Sequence, residues 1–250
     1  MRFQGWLRDA LEARPAGSQL LEVGPFRALV PASGQPGGWV TIVDGPAAEK
    51  ETKESVQVLR SLFGERRAEL EIEYNDALFP KVGAWLEATR FSLDRRDPLM
   101  ACRPERFAPV VAPHVRLRRL TLDSDSADLQ AFQTIRWTNG GDRDQAVPPI
   151  GDLRKELASS RSLYLLAWLD DEPAGTGVLH SLKGSGELVG IVTRGDKRRR
   201  GVAATVTSHL VARHFSTGGD FAFLDAANEG AVKLYERIGF KTFGMNSVYH

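Results

Sequence analysis

Runs of alternating hydrophobic and polar residues, broken by amphipathic stretches, divide the chain into short elements. Alternation over residues 18–23 and 26–30, turning at Gly24 and Pro25, predicts a strand pair, and the apolar run 39–43 predicts a third strand. Phe3, Trp6, Leu7 and Leu11 share one face of a helix predicted over residues 1–13. Residues 55–63 have helical spacing, 69–74 alternate as a strand, 79–89 are helical and 91–101 extended. Three prolines, Pro104, Pro109 and Pro113, exclude a helix over residues 103–114 and suit a semi-rigid connector. This places a boundary near residue 110, between domains at 1–108 and 109–250. Beyond it the pattern predicts a strand at 115–122, a helix at 126–137 capped by Ser124 or Ser126, and a helical piece at 152–158. Strands at 162–169, 174–181 and 187–192 follow, then a helix after Gly201, a strand at 220–225, a helix from Glu229 and a last strand from Phe240. The order is that of a mixed α/β protein, a meander followed by a crossover.

Composition narrows the class only a little. With 250 residues, 42% of them hydrophobic, the chain can bury a core as one large domain or two small ones. A net charge of +1 gives no global pull toward nucleic acid or a membrane, so a strongly basic stretch is a local feature. One cysteine, Cys102, excludes an internal disulfide framework and a Cys-rich zinc site. The five histidines lack metal-ligand spacing, so no metal is expected. No apolar run approaches the roughly twenty residues of a membrane span. Residues 1–14 are amphipathic and charged, unlike a signal peptide. These features predict a cytoplasmic protein, a monomer or homodimer, with neither nucleic acid nor membrane as partner.

The strongest local chemistry lies at residues 188–210, where an apolar strand breaks into a basic, glycine-containing turn and then opens a helix. Lys197, Arg198, Arg199 and Arg200 stand just ahead of that helix. Their charges and the free N–H groups of its first turn converge on one spot, which should hold an anion. Gly201 and Ala203 carry almost no side chain and let a ligand approach the backbone, as a diphosphate would require. Val202, Val206, Leu210 and Val211 give the helix one apolar face. A solvated basic surface or a nucleic-acid patch is the alternative for the basic run taken alone. The lysine-containing nucleotide loop and the G-x-G-x-x-G turn are both absent, which argues against ATP and NAD.

Arg198, Arg199, Arg200, Gly201, Val202 and Ala203 resemble the Q/R-x-x-G-x-G/A signature of the GNAT family of acyl-CoA-dependent N-acetyltransferases, which binds the pyrophosphate of coenzyme A. A second segment is similar to the same family: Phe223, Leu224, Asp225, Ala226, Ala227 and Asn228, then Ala231, Leu234, Tyr235, Glu236, Ile238, Gly239 and Phe240. Arg199 departs from the pattern, standing where the family often has glycine. The resemblance implies acetyl-CoA, or another short acyl-CoA, as co-substrate and an amine-bearing acceptor as partner. It implies that Ile191, Val192 and Thr193 hold the pantetheine arm, and that Arg198, Arg199, Arg200, Gly201, Val202, Ala203 and Ala204 hold the diphosphate. Asn228 would contact the cofactor or cap the helix from Glu229.

Acyl transfer to an amine needs a base for the ammonium proton, a stabilised oxyanion and a proton for the leaving thiolate. Tyr235 matches the family's acid position, and a phenol can lend that proton. Glu187 stands where such proteins often carry a carboxylate base; His180 and Asp225 remain alternatives. The acceptor is expected near Trp137, residues 140–144 and Trp168. A non-catalytic acyl-CoA-binding protein would keep the turn without requiring Tyr235 or a base.

The element order also repeats. Val40, Ile42 and Val43 precede Val189, Ile191 and Val192 by 149 residues, and Asp76 with Ala77, Glu87 and Phe91 keep that offset from Asp225 with Ala226, Glu236 and Phe240. In the first copy Glu49, Thr52 and Glu54 replace Arg198, Gly201 and Ala203, while Phe79 and Leu86 replace Asn228 and Tyr235. The expectation is two GNAT-like domains, the C-terminal one complete and the N-terminal one degenerate and without a cofactor site. The strand from Phe240 is expected to be short or to be completed by the first half.

Overall fold

The computed structural model describes residues 18–32, 38–43, 48–139, 146–159 and 162–250; the helix expected over residues 1–13 and the loop at 140–144 lie outside the described residues. Division into compact units does not follow linear order. The described residues up to Leu99 cluster with Asp225–Asn228 and Thr242–His250, and those from Met100 to Leu224 cluster with Glu229–Lys241.

In the first unit β1 (Gln19–Val23) and β2 (Phe26–Val30) form the expected hairpin, and β3 (Trp39–Ile42) pairs antiparallel with β2. The crossover helix α1 (Glu49–Arg66) leads to β4 (Ile72–Asn75), parallel to β3. The short helix α2 (Val82–Glu87) precedes β5 (Leu93–Cys102). Next to β4 lies β11 (Lys241–Tyr249), antiparallel to it, so the last strand of the chain belongs to this sheet. Apolar residues at alternate strand positions and at 56, 59 and 63 of α1 bury one core, with Phe26, Ile42, Leu59, Phe63, Ile72 and Leu86 almost wholly inside.

The helix α1 begins earlier than its apolar spacing suggests. Glu49, Thr52 and Glu54 lie within it, Thr52 is buried, and Glu49 accepts an ion-paired hydrogen bond from Lys53 at 2.7 Å. A regular helical turn thus occupies the place where the second copy has its basic turn.

In the second unit β6 (Val115–Leu120), β7 (Leu163–Leu169), β8 (Glu172–Leu182) and β9 (Ser185–Thr193) form an antiparallel meander. The crossover helix α5 (Val202–Ser216) returns the chain to β10 (Phe221–Asp225), parallel to β9. One face of the sheet is covered by α3 (Ser126–Asn139) and α4 (Ile150–Ser159), whose Leu129, Phe132, Ile135 and Leu153 pack on Tyr164, Leu166 and Val178. The other face receives α5. A Cβ on Gly177 would stand 2.4 Å from a methyl of Val206, so this glycine sets how closely helix and sheet approach. The proline-containing residues 103–114 are tied to α5: Thr205 accepts from Ala112 N–H at 2.9 Å, and Ser208 accepts from Val110 N–H at 2.9 Å. The helix α6 (Glu229–Ile238) packs against α5. Among the described residues no helix is long and apolar enough to cross a membrane.

Candidate functional site

The ladder between β9 and β10 covers only three pairs, Ser185↔Phe221, Gly186↔Ala222 and Glu187↔Phe223. Among the described residues, no strand therefore lies on the side of β9 away from β8 from Leu188 to Thr193, and Val189 through Thr193 are all partly open. Unpaired N–H and C=O groups along an open strand edge accept an extended, amide-bearing ligand as a further strand. In the first copy the ladder sits further along the strand. Its β3 and β4 pair at Val40↔Ile72 and Thr41↔Glu73, so at the 149-residue offset the residues equivalent to Val189 and Gly190 stay in the ladder.

Where the open edge ends, the backbone turns into α5. Arg199 has φ 60° and Gly201 φ 81°, both left-handed, and Gly201 is the N-cap without a side-chain hydrogen bond. The first N–H groups of α5 thus project uncapped from a turn of alternating handedness, an arrangement that cradles anions. The hydroxyl of Thr193, at the entry to the turn, is buried without a hydrogen-bond partner among the described residues. These residues fit a diphosphate joined to an extended arm.

The four cations divide their work in a way the sequence does not reveal. Lys197 pairs with Glu172 at 3.0 Å and Arg200 with Asp170 at 2.6 Å, while Arg194 bonds both Glu172 and Asp196. The Arg200 guanidinium holds the Asp170 carboxyl below its ordinary range. Asp170 and Asp171 form the β7–β8 hairpin turn at φ 54° and 59°, so an acidic hairpin grips the basic turn and sets its shape. Such exposed pairs contribute little stability each. Arg198 leans toward the carbonyl of Thr193 at 3.5 Å, and Arg199 has no ion-pair partner among the described residues. Only adjacency in space, not in sequence, could have exposed Asp170 and Glu172; the Asp-Asp pair at a hairpin tip was the available signal.

Arg199 holds a left-handed backbone at a cost of about 1 kcal/mol relative to glycine. Arg199→Gly is expected to raise unfolding stability by up to that amount in urea titrations while weakening coenzyme A binding through the lost charge. A destabilised variant would show that the turn draws its shape from the arginine side chain. Gly201 is constrained by the fold as well: a Cβ there would meet that of Ala112 at 2.6 Å. The glycine expected to admit a ligand is thus required first by the packing of residues 110–112.

Glu187 is half-buried at the point where the β9–β10 ladder stops, and its cross-strand partner on β8 is His180. Ser162 Oγ lies 2.5 Å from His180 Nδ1. Burial, and then the nearby charge of Arg136, hold the His180 pKa below its ordinary value. Arg136 of α3 itself bonds Glu156 of α4 at 3.3 Å. Tyr235 on α6 is buried, its ring 5.8 Å from that of Phe240, and burial pushes its phenol up to about 12. Asn228 is exposed and directly precedes α6. Trp168 carries a buried indole N–H without a partner among the described residues, with Arg118 stacked over its ring. Among the described residues no group of His, Cys, Asp or Glu could hold a metal ion.

Asp225 and Asn228 are counted with the first unit. Asn246 donates to Asp225 at 2.9 Å and also to Glu73. Desolvation of the carboxyl by the protein around it pushes Asp225 up to about 7, although the residue is partly exposed; Glu73 and Asp97 add to this, while Asn246 and Arg95 oppose it. Unfolded, such a group titrates near pH ~4. The folded chain then binds the extra proton between these values, so stability falls as pH rises from about 4 to about 7. Asp225→Asn should therefore raise the thermal midpoint more at pH 8 than at pH 4. An equal change at both values would mean that Asp225 titrates normally.

Residues 129–240 match the family model described as Acetyltransferase (GNAT) family. No curated protein matches the sequence. The fold resembles that of a GCN5-related N-acetyltransferase from Kribbella flavida, with TM-score 0.79 and 18% identity over 99% of this chain and 93% of that one. A GCN5-related N-acetyltransferase from Sphaerobacter thermophilus is similar at TM-score 0.69 and 16% identity, over 90% of this chain and 76% of that one. A tandem GNAT protein from the clavulanic acid biosynthesis pathway is similar at TM-score 0.64 and 12% identity, over 97% and 86%. At such identities the likeness is one of fold, and it extends over both GNAT-like halves. The part of the chain that matches the GNAT family model, residues 129–240, is the part that carries the open strand edge and the left-handed basic turn.

Proposed function

We propose that this chain is an acyl-CoA-dependent N-acetyltransferase that moves an acetyl group from acetyl-CoA directly to a primary amine. The observation that carries the reading is the unpaired edge of β9 running straight into an uncapped helix N-terminus. An extended pantetheine arm would add along Ile191, Val192 and Thr193. The diphosphate would sit on the N–H groups of residues 201–204 with Arg198, Arg199 and Arg200 around it. Acetyl-CoA would supply an activated thioester.

This chain's own residues would then move two protons. Glu187 takes one from the ammonium of the acceptor, freeing its lone pair to attack the thioester carbon. Tyr235, kept protonated by burial, lends one to the departing thiolate. The first half, with a helical turn in place of the basic turn, would serve structure or acceptor binding and no cofactor.

The test is a thermal-shift and turnover screen of acetyl-CoA against amines, amino acids and antibiotics. One acetyl-CoA per chain should raise the melting temperature, and at least one amine should release free thiol. Binding without turnover across the panel would favour an acyl-CoA-binding protein, and absence of binding would overturn both readings.

A further inference from the structure

Three polar side chains stand in a row across three strands of the second unit. Leu163 pairs with Leu179, so Ser162 and His180 are the next positions along on β7 and β8, and His180 pairs with Glu187 on β9. Strand alternation puts Ser162 with Tyr164, and His180 with Val178, on the face covered by α3 and α4. Directly opposed residues of an antiparallel pair have Cβ atoms roughly 5 Å apart, within reach for an imidazole and a carboxylate.

The ring of His180 has a defined orientation. Its Nδ1 meets the Ser162 hydroxyl on the β7 side at 2.5 Å, which leaves Nε2 for another partner, and the cross-strand neighbour on β9 is Glu187. In the tautomer in which Ser162 donates to Nδ1, the neutral ring carries its proton on Nε2. Among the described residues, the charged and titratable groups around the row include Arg136 of α3, Glu156 of α4, Tyr164 of β7 and Glu187 of β9. Arg136 bonds Glu156 at 3.3 Å, and Tyr164 donates to Glu156 at 3.5 Å.

We propose that His180 is a positioning residue for acyl transfer: held through Nδ1 by Ser162, it presents Nε2–H to the Glu187 carboxylate and keeps that carboxylate ionised and oriented. This rests on Glu187 being the base. In the step served, an N–H bond of the acceptor ammonium breaks, an O–H bond forms on Glu187, and the freed lone pair attacks the thioester carbon. His180 retains its own proton throughout. Burial of the ring, with Arg136 beside it, favours this neutral form.

The experiment is a pH profile of kcat and KM for wild type, His180→Ala, His180→Gln, Glu187→Gln and the Ala/Gln double variant. His180→Ala should lower kcat by roughly tenfold to a hundredfold, the range for losing one hydrogen bond to a charged group. KM for acetyl-CoA should stay within about twofold. The acidic limb should move to higher pH, because a carboxylate that loses a donor holds its proton more tightly. His180→Gln, whose amide N–H can replace Nε2–H, should recover most of the rate and return the limb toward wild type. In the Glu187→Gln background, His180→Ala should add no further loss. An undisplaced limb, or a full additional loss in the double variant, would overturn the proposal while leaving Glu187 as the base. Wild-type turnover by Glu187→Gln would instead remove the base assignment and this proposal with it.

Discussion

Tyr235→Phe is expected to lower turnover by roughly a hundredfold to ten-thousandfold, the range of general acid catalysis, while acetyl-CoA affinity stays within about twofold. The substitution deletes one oxygen from a buried ring packed on Phe240 and leaves the shape of α6 unchanged, so the fold should persist. Its effect falls on the rate because the phenol is asked to act on a thiolate that exists only as the thioester breaks. Burial pushes the phenol up to about 12, so the group remains a proton donor throughout the neutral range and contributes no limb there. Stopped-flow or single-turnover assays give the comparison. A variant with wild-type rates, under conditions where chemistry limits, would reduce Tyr235 to a packing residue.

Ala203→Glu should abolish detectable binding of acetyl-CoA, a loss of at least about a hundredfold, without harming the fold. Ala203 is half-buried in the first turn of α5, where an acidic side chain interacts favourably with the helix dipole. The same carboxylate would face a diphosphate at close range, where like charges ~4 Å apart repel by about 4 kcal/mol once water is partly excluded. The variant transplants Glu54, the residue at this position in the first copy. Gly201→Phe is a poorer probe, since it forces a side chain onto Ala112 and a left-handed backbone on a bulky residue. Calorimetric titration with acetyl-CoA, alongside a melting curve, separates lost binding from lost fold. Retained affinity with a normal melt would place the diphosphate elsewhere.

Much of this site was written in local order. The strand before residue 194, the basic run, the small residues and the helix after Gly201 are neighbours in sequence, so their conjunction follows from chain connectivity. The places of Tyr235 on α6 and of Asn228 just before it follow from the same local order, each lying at a set distance from the strand before it. The 149-residue offset also pointed to a second copy, because strand and helix periods survive where site residues do not.

Periodicity placed the helix of the first half at residues 55–63, whereas α1 runs from Glu49 to Arg66. Its added first turn has no apolar period of its own and follows from Thr52 being buried and Glu49 pairing with Lys53. The proline-containing residues 103–114 read as a connector, yet hydroxyls of Thr205 and Ser208 fasten them to α5 through bonds spanning more than ninety residues of sequence.

The sequence by itself determined the elements, the basic turn and the loss of that turn in the first copy, since each depends on neighbours along the chain. Tertiary structure alone decided which strands share a sheet. β11, last in the chain, lies against β4 because its backbone groups and Tyr249 find partners there: Tyr74 stacks on Tyr249 at 6.1 Å, and Glu87 accepts its hydroxyl proton at 3.2 Å. It also decided that the β9 edge stays open from Leu188 onward, that Asp170 and Glu172 grip the basic turn, and that Ser162, His180 and Glu187 stand in one row. The physical reason is common to all four. Register between strands is set by the packing of whole faces and by turn geometry, and neither appears in the residues of one strand taken alone.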